Sequence, residues 1–276
     1  MQEDYPSSSR FRDNQKYKMN SRRRGVALII NHSKFEVPGL SNRVTTAADG
    51  QKLTGCFEKL GFEVRTMMDK KFSKIKKRLH KVSKEDLSQC DCLVIVVLSH
   101  GNYGTIFAKD QEYKEEELWK PFTAKNCRTL EGKPKLYFIQ TCRGDKYDPG
   151  VTLMPVKSSR VFQPDYEVDD NFVASFAALS TKEPQSYLLQ LEPHFLVAHA
   201  SVPDYCAWRS ATGAWFIHEL CSELSDKPKD HLLSILQRVG CKVAVDYESN
   251  TDDPTSNGKK QMPCITHTLD KLVFFD

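Results

Sequence analysis

Asp91-Cys92-Leu93-Val94-Ile95-Val96-Val97-Leu98-Ser99-His100-Gly101 is the stretch that decides the fold class of this chain. A strand with one wet face alternates apolar and polar residues. This run is apolar without a break, so it reads as a strand buried on both faces. Two other stretches read the same way, Arg24-Gly25-Val26-Ala27-Leu28-Ile29-Ile30-Asn31 and Lys135-Leu136-Tyr137-Phe138-Ile139-Gln140. Phe62–Met68, His194–Ala200 and Lys271–Asp276 are further strand candidates. Helix signals alternate with them. Residues 45–60 carry Ala48, Leu53, Phe57 and Leu60, with Gly61 as the stop. Residues 72–88 repeat Phe72, Ile75, Leu79 and Val82 at helical spacing, with lysines on a solvated face. Glu115–Phe122, Gly213–Leu224 and Lys229–Val239 read as helices, and Ala174–Leu179 as a turn of helix. Strands alternating with helices predict an α/β fold, a three-layer sandwich around a mostly parallel six-stranded central sheet.

Composition narrows the function classes. Residues 1–24 hold seven Lys/Arg against three acids, a charge of +4, and the remaining residues balance at 33 basic and 33 acidic. The basic signal is therefore a leader rather than a domain-wide nucleic-acid surface. No apolar run approaches the roughly 20 residues of a membrane span, and the N-terminal residues lack an apolar signal region. Nine cysteines are odd in number and irregularly spaced, which points to free thiols in a reducing, cytoplasmic compartment. Cys90 and Cys92 form a C-x-C pair without a second pair at ligand spacing, so no metal and no cofactor is expected. Residues 1–23 read as a disordered basic leader and 24–276 as a single catalytic domain. Within it, residues 145–193 contain five prolines and little periodicity, the marks of a stretch that is either functional or disordered, read here as a cleavable linker.

The strand ending at Leu98 is followed by His100, and the strand ending at Gln140 by Cys142. In open α/β sheets, sites gather beyond the carboxyl ends of the strands, and consecutive strands are often neighbours. A thiol and an imidazole 42 residues apart can therefore meet at one sheet edge, each beside a glycine. Taken singly, each has a plainer reading, a structural histidine and an inert buried thiol.

Gln140-Thr141-Cys142-Arg143-Gly144 and Leu98-Ser99-His100-Gly101 resemble the nucleophile and histidine motifs of the caspases. Arg24–Asn31, Gly132-Lys133-Pro134-Lys135, Ala207-Trp208-Arg209-Ser210 and Gly213-Ala214-Trp215-Phe216-Ile217 extend the resemblance in order and spacing. It implies a cysteine endopeptidase that cuts proteins after aspartate, of the executioner type associated with programmed cell death. Cys142 takes the place of the nucleophile and His100 that of the general acid/base. The backbone amides of Gly101 and Cys142 take the place of the oxyanion hole. Arg43 and Arg209, with Gln140 between them, match the primary specificity pocket, Trp208 and Trp215 match walls of the outer pockets, and Ser210 matches a further substrate-binding position. Cys206 stands where the family usually has an aromatic that shapes the second pocket, and Thr141 stands where it usually has alanine. The resemblance further implies a homodimer of cleaved protomers, with a large subunit of about 24–169 and a small one of 171–276. It also implies an upstream activating caspase and regulators of the inhibitor-of-apoptosis type.

Three rivals remain at this stage. A caspase-like decoy that pairs with an active relative finds support in Thr141 and the long linker. A related peptidase that cuts after Lys or Arg needs an acidic pocket where Arg43 and Arg209 stand. A plain α/β binding module leaves the order of the motifs unexplained.

Tyr166-Glu167-Val168-Asp169-Asp170 lies in the linker and offers Asp169, with Glu167 before it, and Asp170 as cleavage points; Asp13 offers another in the leader. Intact-mass analysis of the chain expressed in bacteria should show wild type split after Asp169 or Asp170. Cys142→Ala should stay whole, and Asp169→Ala with Asp170→Ala should stay whole with low activity. A double variant that splits elsewhere in the linker would move the site.

Overall fold

The computed structural model describes residues 16–152, 193–225 and 229–275. Asp13, Asp169, Asp170 and the Ala174–Leu179 helical turn lie outside them. By contacts the chain divides into Met1–Gly150 with Glu192–Asp276, and Val151–Leu191. Every element below belongs to the first unit. In chain order these are β1 (Arg23–Asn31), α1 (Thr46–Lys59), β2 (Glu63–Met68), α2 (Phe72–Ser83), β3 (Cys90–Leu98), β4 (Gly101–Asn102), β5 (Thr105–Phe107), β6 (Glu112–Lys114) and β7 (Lys135–Gln140). There follow β8 (Phe195–His199), β9 (Arg209–Ser210), β10 (Gly213–Ala214), α3 (Trp215–Leu224), α4 (Leu232–Asp246) and β11 (Cys264–His267).

The continuous apolar runs become the centre of a six-stranded sheet in the order β11-β8-β7-β3-β1-β2. All neighbours are parallel except β8 and β11, which pair antiparallel. Alternate side chains leave opposite faces of a strand. Ala27, Ile29, Val94, Val96, Leu136 and Phe138 share one core with Leu53 and Phe57 of α1, Phe216 and Leu220 of α3, and Ile235 and Val239 of α4. The intervening Leu28, Ile30, Ile95, Val97, Tyr137 and Ile139 are buried too. They form the second face, where Trp119 meets the Tyr137 ring edge-on at 5.9 Å. Burial on both faces is why these strands carry no polar alternation.

Register positions the site. Asn31 pairs with Leu98, and Leu98 pairs with Gln140, so β1, β3 and β7 end level at their carboxyl ends. The backbone ties them there: His32 N–H donates to the Leu98 carbonyl at 2.9 Å and Ser99 N–H to the Gln140 carbonyl at 3.2 Å.

Several sequence boundaries shift. The sixth strand is Cys264–His267 rather than Lys271–Asp276. Leu272 forms an isolated bridge with Lys16, while Val273 and Phe275 bury their side chains in the core. β11 is a short, half-buried edge strand with weak apolar signal; the C-terminal residues are apolar because they seal one end of the core. α2 stops at Ser83, whose hydroxyl donates to the His80 carbonyl. The predicted Glu115–Phe122 helix is two short 3-10 turns interrupted before Pro121, which lacks a backbone donor. α3 starts at Trp215, because Gly213–Ala214 pairs with Arg209–Ser210 in a hairpin. α4 runs through Gly240 to Asp246, since Val243 still packs into the core. Part of the basic leader also packs: Tyr17 is buried and donates its hydroxyl to Asp270 at 2.7 Å.

Gly25 lies in β1 with φ +139°, and a Cβ there would fall 1.9 Å from the Cys92 carbonyl oxygen of β3. Gly25→Ala must push the two central strands apart, so a loss toward or beyond the upper end of about 1–3 kcal/mol is expected. Gly55 in α1 faces open space, so Gly55→Ala should add about 0.5–1 kcal/mol through helix propensity. Denaturant midpoints measure both. A wild-type midpoint for Gly25→Ala would contradict the β1–β3 packing.

Candidate active site

Three chain segments leave the level ends of β1, β3 and β7. The first, after β1, carries Arg43. Its backbone N–H donates to the Ser33 carbonyl at 2.8 Å, and its Nη1 donates to the His32 carbonyl and to Thr46 Oγ1, both at 3.1 Å. Thr46 is held in turn by Asn31, whose Nδ2 donates to the Thr46 carbonyl at 2.8 Å. The guanidinium is therefore fixed by the end of β1 and the start of α1, and Arg43 as a whole is only 3% exposed.

Arg209 arrives from the small-sheet hairpin, opposite Ala214 in register. Ala214 N–H donates to both carboxylate oxygens of Asp49, at 3.0 and 3.2 Å. Asp49 is fully buried on the apolar side of α1. Burial raises its pKa, opposed by the Ala214 amide and by the charges of Arg43, Lys52 and Arg209. Burial pushes Arg43 down to about 9, the charge of Arg209 adds to that, and Asp49 and Cys142 oppose it. Arg209 is pushed down by burial and held up by Cys142 and Asp49. Both remain cations at neutral pH. Gln140, at the end of β7, is 3% exposed. Its Oε1 and Arg209 Nη1 are buried without a hydrogen-bond partner among the described residues. Buried polar atoms are ordinarily paired, so Arg209 Nη1 is a donor left available to an acceptor, while Gln140 Oε1 can only accept. Two adjacent cations, Arg43 held by His32 and Thr46, favour an anion, and a carboxylate fits the guanidinium fork.

His100 follows β3. Its Nε2 bonds the Ser41 carbonyl at 2.8 Å, and its ring packs on Phe35 at 4.9 Å between centroids. A carbonyl accepts only, so Nε2 carries the hydrogen and Nδ1 keeps its lone pair. Burial lowers the His100 pKa, the Ser41 bond opposes this, and Arg43 and Arg209 lower it further. The imidazole is neutral at rest. Cys142 follows β7. Its Sγ accepts from Ala207 N–H at 3.3 Å and lies 3.8 Å from the Ala207 carbonyl. The thiol pKa falls to about 6. The Cys206 thiol beside it contributes most; burial opposes; the Ala207 amide, Arg209 and Arg43 lower it further. Cys142 is thus activated by donors and cations. Among the described residues, its hydrogen bonds run to the 206–207 segment and those of His100 to Ser41, not to one another. Gly101 lets these segments meet: a Cβ there would sit 2.8 Å from the Thr105 carbonyl, 2.9 Å from Thr141 Cβ and 3.1 Å from the Cys142 carbonyl. Thr141 is buried against it, with Oγ1 unpartnered among the described residues.

The structure thus brings Arg43, His100, Gly101, Gln140, Cys142, Cys206 and Arg209 to one sheet edge. Trp208 stands on its rim, stacked between Tyr147 at 5.3 Å and Trp215 at 6.0 Å. Trp215 is largely a core residue at the start of α3. Ser210 is exposed in the hairpin turn, its hydroxyl on Thr212 Oγ1 at 2.8 Å. Sequence reading missed Asp49, the Ser41 carbonyl, Tyr147 and Gln261, which accepts from Trp208 N–H and donates to the Ala200 carbonyl. Asp49 had a signal, an acid in phase with Leu53, Cys56 and Phe57 on the apolar face of a helix. The other three carried none.

A family model described as the caspase domain matches residues 24–274. The chain is 38% identical to caspase drICE of Drosophila melanogaster over 262 residues, 94% of this chain and 72% of that protein. It is 35% identical to caspase-7 of Gallus gallus over 94% of this chain and 79% of that protein. The crystal structure of caspase-1 from Spodoptera frugiperda matches with a TM-score of 0.81 at 37% identity, covering 96% of each chain.

The lowered thiol pKa sets a pH dependence. Thiolate forms as pH rises through the pKa, so alkylation of Cys142 by iodoacetamide should reach its plateau just above a midpoint of about 6. An ordinary thiol would still be gaining rate toward about 8.5. Cys206→Ala removes the largest stabilising contribution and should move the midpoint up. A Cys142 midpoint near that of a free thiol would contradict this electrostatic picture.

Proposed function

The chain belongs to the caspase family, and from that premise we propose how its residues divide the work of cutting a protein chain after aspartate. It is a cysteine-type endopeptidase. The observation that carries the assignment of roles is one sheet edge holding the Cys142 thiol beside a buried Arg43 and a half-buried Arg209 whose Nη1 has no hydrogen-bond partner among the described residues. The substrate aspartate enters the Arg43–Gln140–Arg209 cluster, and its carboxylate takes the hydrogen bonds those groups have to give. Asp49 behind the pair keeps two adjacent cations tolerable in a buried place. With Arg43 held by His32 and Thr46 and the Arg209 backbone set in the β9–β10 hairpin, the docked carboxylate places the scissile carbonyl over Cys142 Sγ.

Cys142 is already largely thiolate above its lowered pKa, and as it attacks, the neutral His100 takes up a proton from water at Nδ1 while the Ser41 carbonyl holds Nε2–H. The sulfur attacks the carbonyl carbon. The amides of Gly101 and Cys142 donate to the oxyanion, whose stabilisation is usually the largest electrostatic contribution. Collapse breaks the C–N bond, and His100 gives its proton to the departing amine. Water, deprotonated by His100, then hydrolyses the thioester and restores the thiol. A pocket of two cations repels Lys and Arg side chains, so it does not suit the basic-cutting rival. The decoy reading would leave the activated thiol and the orphaned pocket groups without a use.

The reading extends to assembly and control. β11 is an edge strand, the kind of exposed edge a second copy can cover in a homodimer. Exposed Met262 lies just before it in the chain. Cleavage at Asp169 or Asp170 by an upstream caspase converts a zymogen, regulators of the inhibitor-of-apoptosis type act on the mature form, and the cytoplasm is the working compartment.

A fluorogenic tetrapeptide library ending in aspartate tests the roles. Cys142→Ala should abolish cleavage, and His100→Ala should lower turnover by roughly 10²–10⁴-fold. Arg43→Ala or Arg209→Ala leaves the carboxylate half-paired and should cost on the order of 3–5 kcal/mol in kcat/KM. Because Cys206 is small, bulky residues just before the aspartate should be accepted. Normal aspartyl cleavage by Arg209→Ala would overturn the pocket assignment.

A further inference from the structure

Cys206 carries no bond-making step of the mechanism above, but it is the largest influence on the Cys142 thiol, and the chain holds it against the nucleophile. The backbone around Cys142 runs beside residues 204–207 as a tight ladder. Arg143 N–H donates to the Tyr205 carbonyl at 3.0 Å, Asp204 N–H to the Arg143 carbonyl at 2.9 Å, and Cys206 N–H to the Lys146 carbonyl at 3.0 Å. Gly144 permits this approach, since a Cβ there would sit 2.3 Å from the Asp204 carbonyl oxygen. Cys206 Sγ lies 3.4 Å from the Gly144 carbonyl, and the next residue, Ala207, donates its N–H to Cys142 Sγ at 3.3 Å. The two thiols are within hydrogen-bonding reach of each other, and both are partly exposed.

We propose that Cys142 and Cys206 form a reversible disulfide when the protein meets a peroxide, with Cys142 the sulfur first oxidised and Cys206 the resolving thiol. This rests on the reading of Cys142 as the activated thiol. The Cys142 thiolate attacks one peroxide oxygen and breaks the O–O bond, leaving a sulfenic acid on Cys142 and one hydroxide. The Cys206 sulfur then attacks the Cys142 sulfur, and the S–O bond breaks. The departing hydroxide takes the Cys206 proton and leaves as water. In sum, one thiolate, one thiol and one hydrogen peroxide become one disulfide, one water and one hydroxide, and the proton that Cys142 had already released turns that hydroxide into a second water. A dithiol reductant returns the pair to thiols by exchange.

Electrostatics times the second step. At rest the Cys206 thiol is held protonated, first by its hydrogen bond to Cys142, then by burial and by the negative charge of Cys142. Conversion of that thiolate to a neutral sulfenic acid removes the hydrogen bond to the anion and the charge together, so Cys206 is freed to ionise when it is needed. Disulfide closure draws the sulfurs to about 2.0 Å through side-chain rotation beside the backbone ladder. It blocks the nucleophile and also shields it, because a sulfenic acid left unresolved proceeds to irreversible sulfinic acid. The other adjacent thiol pair, Cys56 and Cys221, is buried in the core, where peroxide has no approach.

The test treats the full chain with hydrogen peroxide, then digests it with trypsin without reduction. The wild type should yield a linked species of the peptide ending at Arg143 and the peptide ending at Arg209, two hydrogens lighter than their sum, with Cys56 and Cys221 still free. Reductant should return iodoacetamide-reactive Cys142 to its untreated level. In Cys206→Ser, the same dose should leave Cys142 as sulfinic or sulfonic acid that reductant does not recover. Wild-type Cys142 over-oxidised to the same extent as in Cys206→Ser, or linked to a different cysteine, would overturn the proposal. The linked peptide is read in the wild type, so the result does not hang on the folding of a variant. Every readout is a mass, so a chain without peptidase activity would fail the reading of the previous subsection and leave this one standing.

Discussion

Asn31, Leu98 and Gln140 lie side by side at the ends of three parallel strands, and the rest of the site depends on that alignment. Because the strands end level, the chain leaving each of them starts from the same edge. Arg43, His100 and Cys142 are thereby delivered from segments far apart in sequence. A slip of one residue would invert every side chain of a strand between the two faces. With both faces buried by large apolar residues, and with Gly25 pressed against the Cys92 carbonyl, the sheet has little tolerance for such a slip. The rigidity of the centre becomes the precision of the edge.

The edge itself is electrostatically expensive. It gathers two arginines in a place poor in water, and burial disfavours both charges. Asp49 is the counterweight, buried to the same depth and reached by the Ala214 amide from the hairpin that carries Arg209. One carboxylate thus couples the α1 side of the site to the hairpin side, a connection spanning 165 residues. The positive field has a second effect. It favours the Cys142 thiolate and disfavours a charged His100 at rest. The two cations add to the larger effects of the Cys206 thiol and the Ala207 amide in favouring the Cys142 thiolate.

The second cysteine at this edge shows how local chemistry can depart from a family pattern without disturbing the fold. Cys206 is close enough to donate to Cys142. Its position is set by the ladder between residues 143–146 and 204–206, which would hold any side chain there.

Much of this was legible in the sequence by itself. Unbroken apolar runs over Val26–Ile30, Leu93–Leu98 and Leu136–Ile139 declare strands covered on both sides, because the hydrophobic pattern is a local record of burial. His100 and Cys142 at successive strand ends were readable for the same reason, and motif order carried Arg43, Gln140 and Arg209. Asp49 was written on the apolar face of its helix but without a named partner. What only the tertiary structure decided is pairing between distant segments. The edge strand at Cys264–His267, the Ser41 carbonyl that sets the His100 tautomer, the Asp49–Ala214 link and the approach of Cys206 to Cys142 leave no local trace. Each depends on backbone groups or small side chains whose partners lie tens to hundreds of residues away, and sequence pattern records how deeply a residue is buried, not which residue it is buried against.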